Sequence, residues 1–382
     1  MTIKIEEVTT YQQLDKFIKF PFSLYKDNPY WVPPLLMDEK NTLDWKKNPA
    51  FEVAQARYWL AYKDEKLVGR IAGIYNPKSN EKWNQSNLRF GWVDFIDDSE
   101  VSKALFKTVE QWALDLGLKA VHGPLGFTDL DPEGMLIEGF DELGTLALIY
   151  NHPYYPLHLE EMGFVKDTDW LEYEIKVPNP PHEKIAKAAE LILKRFNLHK
   201  LEIKKKKDLL KYTRELFDLI DSEYSHLYGT VPLSDKQKQA YIDQYFGFVS
   251  PDLVPVILDE NNRMVAFAIV MPSLSKALQK SQGRIIPFGW FHLLKALKTN
   301  TLGDLYLIAV RSDYRGKGIN AAIMHSVNVA LNKHGITRVE TNANLEDNIN
   351  VQAQWKYFEH RQHKRRRCFI KHLNKTEPTI LS

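Results

Sequence analysis

Residues 305–330 read Leu-Tyr-Leu-Ile-Ala-Val-Arg-Ser-Asp-Tyr-Arg-Gly-Lys-Gly-Ile-Asn-Ala-Ala-Ile-Met-His-Ser-Val-Asn-Val-Ala. An apolar strand, Leu305 to Val310, runs into a short basic turn, Tyr314 to Asn320, and a helix begins at Ala321. The N–H groups at a helix N-terminus have no intrahelical acceptor, and the macrodipole is positive there. Gly316 and Gly318 remove Cβ atoms that would hold a ligand away from that backbone. Arg315 and Lys317 add positive charge, and Ile319 and Asn320 complete the turn. The combination predicts a cradle for a phosphate or pyrophosphate.

The turn is not a P-loop, because Gly-x-x-x-x-Gly-Lys-Ser/Thr is absent. It is not a dinucleotide fingerprint either, because the third glycine and the downstream acid are missing. Arg315-Gly316-Lys317-Gly318-Ile319-Asn320 resembles the coenzyme A loop of the GCN5-related N-acetyltransferase (GNAT) superfamily, Gln/Arg-x-x-Gly-x-Gly/Ala. Asn320 departs from the last position, and Asn tolerates left-handed geometry best after Gly. Family members also carry Asn-x-x-Ala-x-x-x-Tyr-x-x-x-Gly-Phe on the helix after the next strand. Asn350, Ala353 and Tyr357 match that spacing, while Arg361 and Gln362 stand where Gly-Phe is usual. The resemblance implies acyl-coenzyme A (acetyl-CoA or another acyl-CoA) as cofactor and Tyr357 as the acid that protonates the leaving thiolate. The alternative for Tyr357 is a core-facing tyrosine of an amphipathic helix.

The chain has 382 residues, enough for two domains with substantial cores. Its single cysteine, Cys368, rules out an internal disulfide framework, and its histidines form no His-x-x-x-His with a carboxylate partner, so no metal site is expected. No N-terminal secretory pattern is present, and runs such as Leu305–Val310 are too short to span a bilayer. A cytoplasmic protein with no membrane partner is expected. The net charge of +2 hides roughly −10 in residues 1–180 against roughly +12 in residues 181–382. The positive half holds the proposed phosphate loop and would attract an anionic cofactor.

Val177-Pro-Asn-Pro-Pro-His182 predicts a linker, because proline denies strand and helix continuation. The expected division is 1–177, a linker at 178–184, and 185–382. Before it, strands are predicted over Arg57–Tyr62, Leu67–Tyr75, Phe90–Ile96, Lys119–Gly123 and Val165–Ile175, with helices over Val101–Leu116 and Tyr154–Met162. After it, helices are predicted over 183–195 and 208–226, then strands over Val254–Leu258, Met264–Val270 and Leu305–Val310. A helix to Lys333, a strand over Thr337–Asn342, a helix over Val351–His360 and a strand over Arg367–His372 complete the order. Both halves run strand pair, strand, helix, strand, helix, strand, which is the GNAT order. The expected fold is α/β (α+β): two GNAT-like domains, each a mixed, mostly antiparallel sheet flanked by helices, similar in plan to N-myristoyltransferases and Fem-type aminoacyl transferases. The N-terminal copy is expected to be degenerate. Its helix start carries acids and no glycine, with Asp98 or Ser99 as a plain N-cap, and Leu159 sits in the Tyr slot. Its expected task is to shape a substrate groove.

Other features remain open between structural and functional readings. Asp129, Asp131, Glu133 and Glu138 could bind a cationic amine or be solvated. Phe288–Leu297 is strongly apolar and must pack on something, as a pocket cap or as inter-domain glue. His360–Arg367 is a basic run expected to be solvated, and nucleic acid is an unfavoured partner because no recognition motif surrounds it.

The expected activity is acyl transfer from acyl-CoA to a small-molecule or peptide amine. Ile308 and Val310 would line the cofactor strand, with an N–H near Val310 polarising the thioester carbonyl. Asn350 would join Arg315–Asn320 in holding the cofactor. Glu340 and Asp304 are the candidate bases. The alternatives are a catalytically silent binding module and a Fem-like transfer from aminoacyl-tRNA.

Overall fold

Amphipathic periodicity decides most of the architecture. The computed structural model describes residues 2–203 and 205–373, and the chain divides into two compact units. Unit 1 runs to Trp170 and regains the chain from Lys364; unit 2 is Leu171–His363.

In unit 1 the strands are β1 (Ile3–Glu7), β2 (Gln55–Lys63), β3 (Lys66–Tyr75), β4 (Asn87–Phe95), β5 (Ala120–Gly123), β6 (Met135–Glu138) and the start of β7 (Val165–Lys176). The helices are α1 (Tyr11–Leu24), α2 (Leu36–Leu43), α3 (Pro77–Lys82), α4 (Ser99–Asp115) and α5 (Tyr154–Glu161). Val101, Leu105, Phe106, Val109 and Trp112 repeat every three or four residues, so α4 buries one stripe against the sheet. The carboxylate of Asp98 accepts the N–H of Glu100, so α4 starts on a protein anion.

Unit 2 holds the rest of β7, then β8 (His199–Lys200), β9 (Val256–Leu258), β10 (Met264–Pro272), β11 (Leu302–Val310), β12 (Arg338–Thr341), β13 (Asn344–Leu345) and the first residues of β14 (His360–His372). Its helices are α6 (Glu183–Arg195), α7 (Lys206–Leu210), α8 (Thr213–Tyr224), α9 (Asp235–Tyr245), α10 (Ser275–Ser281), α11 (Gly289–Lys298), α12 (Ile319–Lys333) and α13 (Ile349–Trp355). The sheet order here is β7-β12-β11-β10-β9-β8, with β11 and β12 parallel and the other neighbours antiparallel. α12 buries Ile319, Ala322, Ile323, Val327 and Leu331 on that sheet, and α6 packs beside it through Ala189 and Ile192. The repeated element succession is present in both units: β2-β3, β4, α4, β5, α5, β7, then β9-β10, β11, α12, β12, α13, β14.

Four expectations change. The proline segment at 178–184 does not separate the compact units, which divide inside β7 and again inside β14. β14 supplies unit 1 with a strand, pairing Phe369 with Gly123 and Ile370 with His122. The helix predicted to reach His360 stops at Trp355, because that indole is buried in the unit 2 core and Phe358 N–H turns back to Trp355 O. The basic run is not a solvated face. Extended geometry turns alternate residues inward, so Lys364 and Arg366 are buried, and Arg366 donates to Ile149 O. Its neighbours Arg365 and Arg367 both reach the fully buried carboxylate of Asp169, at 2.7 and 2.8 Å. Finally, Phe288–Leu297 is not wholly packed away: Phe288, Trp290, Phe291 and Leu294 stay exposed.

Asp169 is the most exacting of these pairs. Burial pushes its carboxyl pKa up, but Arg367 and Arg365 outweigh that and hold it below the usual range. Stability from this group is therefore present above the unfolded pKa and lost as pH falls through the folded one. Asp169→Ala leaves two guanidinium groups facing an uncharged pocket, and we expect a loss of about 3–5 kcal/mol in urea unfolding at pH 7. The loss should shrink towards pH 3.

Candidate functional site

The site begins where two parallel strands part. Asp304 pairs with Glu340 and Leu305 with Thr341, and Asn342 N–H donates to Leu305 O at 2.9 Å. Past that point β11 continues on β10 alone, from Leu307 opposite Ile269 to Val310 opposite Ala266. A register shift between Ile269 and Val270 leaves Tyr306 as the extra residue of β11. The β11 edge from Ile308 onward has thus lost its neighbour strand. Arg311 N–H points to β10, donating to Val265 O at 2.8 Å, so the preceding N–H, on Val310, points to the open edge. At Ile308 that edge is occupied: the Tyr224 hydroxyl accepts Ile308 N–H at 3.3 Å and donates to Ile308 O at 2.9 Å.

The turn after β11 is held from α8. Glu223 is buried, accepts Ser312 N–H at 2.9 Å and pairs with the Arg315 guanidinium at 2.5 Å. Arg315 is thereby a strut of the turn rather than a free cation. Lys317 is an exposed residue whose ammonium lies over the rings of Tyr314 and Phe196, at 4.7 and 5.5 Å. The amides of Arg315 and Lys317 are taken by Ser312 O and Tyr314 O. Among the described residues, those of Gly316, Gly318, Ile319 and Asn320 have no protein acceptor. They lie at the N-terminus of the 15-residue α12, whose N-cap has no side-chain hydrogen bond.

The glycines serve different ends. Gly316 has φ +73 and open space around it, so a ligand can approach it. Gly318 has φ +80, and a Cβ there would sit 2.8 Å from Ile192 Cδ1, so this position is required by the packing of α6 on α12. Ligand approach, expected of both glycines, therefore explains Gly316 and not Gly318. Asn320 is inside the helix and does not use left-handed geometry, and the Ile319 side chain belongs to the core.

The two candidate bases come together. Asp304 and Glu340 are buried cross-strand partners on one face of the sheet, one step below the fork, with Glu174 opposite Glu340 on β7. The His363 imidazole is 3.9 Å from the Glu340 carboxylate. Tyr357 lies beyond the end of α13, 71% exposed, and Asn350 is exposed on α13. Neither touches the loop through a hydrogen bond. Tyr173 is the buried tyrosine under α13, its hydroxyl 3.4 Å from Gln352 Oε1. Glu223 and Tyr224 were not anticipated; their only sequence signal is adjacency at the end of an amphipathic helix.

Two features of unit 1 bear on binding. Asp131 does not simply face water: it accepts the N–H groups of Phe127 and Thr128 at 2.8 and 3.1 Å. His122, Asp167 and Cys368 bring one ligand atom each within 4.8 Å of one another, a set that could hold a metal ion. Burial lowers the His122 pKa, keeping the imidazole neutral, as a ligand must be. Widely spaced residues on three strands leave no local motif for such a set.

Residues 213–359 match the Acetyltransferase (GNAT) family, and this part of the chain is a GNAT domain. The whole chain has the fold of a tandem GNAT protein from the clavulanic acid biosynthesis pathway, with TM-score 0.55, 12% identity, and coverage of 98% of this chain and 100% of that one. It is also 29% identical to Protein YghO of Escherichia coli (strain K12), over 81% of this chain and 79% of that protein. It is 25% identical to the bacterial ceramide synthase of Caulobacter vibrioides (strain NA1000 / CB15N), over 78% of this chain and 77% of that protein.

Burial raises the Asp131 pKa from its ordinary 3.8 to about 6, against the two backbone donors. Its contribution to stability is complete below 3.8 and is lost as pH rises through about 6. Asp131→Asn keeps an oxygen for both N–H groups and removes the charge. Thermal melts should show it stabilised relative to the parent at pH 8, with a flatter profile between 3.8 and about 6. For the turn itself, Glu223→Gln should cost about 1–3 kcal/mol in unfolding, because the Arg315 and Ser312 donors lose a charged acceptor.

Proposed function

We propose that the protein transfers an acyl group from acyl-coenzyme A to an amine, with the coenzyme held by unit 2. The observation that carries this reading is the set of open amides at Gly316, Gly318, Ile319 and Asn320, at the start of α12 and following the unpaired edge of β11. These groups fit a diphosphate: they are donors only, they sit at a positive helix end, and Gly316 leaves space beside them. Lys317 adds charge. Bound acyl-coenzyme A supplies an acyl group activated as a thioester.

The chain's own residues then do the following. The amides hold the diphosphate, and the open β11 edge at Val310 orients the arm of the coenzyme; Ile308 joins it only where Tyr224 gives way. The Val310 N–H is positioned to donate to a carbonyl oxygen as negative charge develops on it. Glu340 or Asp304 accepts a proton from the incoming amine. Asn350 remains a proposed coenzyme contact. Tyr357 is the proton donor that the resemblance implies; Tyr224, at the same strand edge, is a second candidate, its hydroxyl proton here donated to Ile308 O. Fixing thioester and amine together can lower the barrier by about 7–11 kcal/mol.

For the acceptor, the relation to a ceramide synthase supports a long-chain amino alcohol, because ceramide formation joins an acyl group to the amine of such a compound. A second reading, a module that binds coenzyme A without turnover, is favoured by the Tyr224 hydroxyl closing the edge at Ile308.

Release of free coenzyme A thiol, followed with a thiol-reactive dye across acyl chain lengths and with sphinganine as acceptor, distinguishes the two. Turnover with amide product supports transfer. Calorimetric binding without thiol release supports the module, and the absence of both signals overturns the coenzyme assignment. Tyr224→Phe and Tyr357→Phe separate the donors: the true acid should lose roughly 10²–10⁴-fold in kcat, and the other variant should stay near the parent.

A further inference from the structure

β10 and β11 are joined by a long connection that contains α10 and α11. From Glu260 to Asp304 the sequence has no acidic residue between them, while Lys276, Lys280, Arg284, Lys295 and Lys298 stand in the connection. α11, a helix of 10 residues, is anchored through Gly289 and Leu293. Gly289 is pressed so closely on the preceding turn that a Cβ would sit 1.6 Å from Arg284 O. The outward side is apolar: Ile286 is 78% exposed, Phe288 74%, Trp290 51%, Phe291 56% and Leu294 48%. Scattered apolar residues on a surface are ordinary; a contiguous aromatic set is not. The Trp290 indole N–H is satisfied by Pro287 O at 3.0 Å, so the exposed remainder of the ring needs no polar partner.

We propose that α11 and the turn before it dock on the surface of an anionic bilayer. Phe288, Trp290, Phe291 and Leu294 enter the interfacial layer, and Arg284, Lys295 and Lys298 meet the headgroups. An apolar stripe rich in aromatics and flanked only by cations is the composition of a helix that lies in the interface plane. Charge also argues against a second copy as the occupant: a two-fold contact through this face would bring like charges together. Span length, the criterion behind the expectation of no membrane partner, does not detect such a helix. Among the described residues no helix is long and apolar enough to cross a membrane, and an interfacial helix need not be. The chain leaves α11 at Lys298 and enters β11 at Leu302, just before Asp304. Docking does not depend on the acyl-transfer reading, and the test contains no acyl donor, so the two can fail separately.

The test is co-sedimentation of the full chain with vesicles of phosphatidylglycerol and phosphatidylcholine, against phosphatidylcholine alone, at low and high salt. Expected is binding to the mixed vesicles, weakened by salt and at least about tenfold weaker on the neutral ones. F288S/F291S should lower binding to mixed vesicles at least about tenfold. K295E/K298E should lower it on mixed vesicles and leave the neutral ones unchanged. All these side chains are exposed, and unchanged thermal melts check that the variants fold. Absence of vesicle binding, or binding indifferent to both variants, overturns the proposal. So does a dimer in light scattering that F288S/F291S dissociates while no vesicle binds.

Discussion

The unpaired edge of β11 is the constraint on which unit 2 turns. A strand inside a sheet spends its N–H and C=O groups on two neighbours. β11 keeps β10 throughout but has β12 only as far as Leu305. Buried backbone groups without partners are costly, so a fork of this kind persists only where something else satisfies the edge. Tyr224 does so at Ile308. Val310 is left for another partner. The same strand then delivers the chain to the N-terminus of α12, so the open edge and the open amides are consecutive along one piece of backbone.

α8 turns that geometry into a rigid feature. Two adjacent residues at its end divide the labour: Glu223 braces the turn through Ser312 and Arg315, and Tyr224 closes the strand edge. Because Arg315 is committed to Glu223, the charge offered to an anion is that of the helix end and of Lys317. Lys317 is itself held over two aromatic rings, which limits its freedom without neutralising it.

The sequence was most legible where periodicity and turn chemistry are local. The strand–turn–helix at 305–330, the strand pairs and α6 were placed nearly as they occur. The pairing of Asp304 with Glu340 could be suspected from strand order but not established, since register between parallel strands is set by packing across a helix crossover. Less legible were features that depend on distant partners. Arg315 looks like a free cation until Glu223 is found beside it. Arg365 and Arg367 look solvated until Asp169 appears between them. The Gly318 requirement comes from Ile192, more than a hundred positions upstream in the chain. Tyr357 kept its motif spacing yet fell outside the helix, because Trp355 anchors the turn before it.

The strand β14 has one more consequence. Unit 1 needs Phe369, Ile370 and Lys371 beside β5, and Arg365 to Arg367 beside β6, whereas unit 2 is one uninterrupted stretch. A ribosome emitting this chain releases all of unit 2 before the segment that completes the sheet of unit 1. The part made first is therefore finished last, and its hydrophobic sheet face waits, incompletely paired, through the synthesis of the whole second unit. Chaperone demand during biogenesis should fall on the N-terminal portion, the reverse of the usual vectorial order.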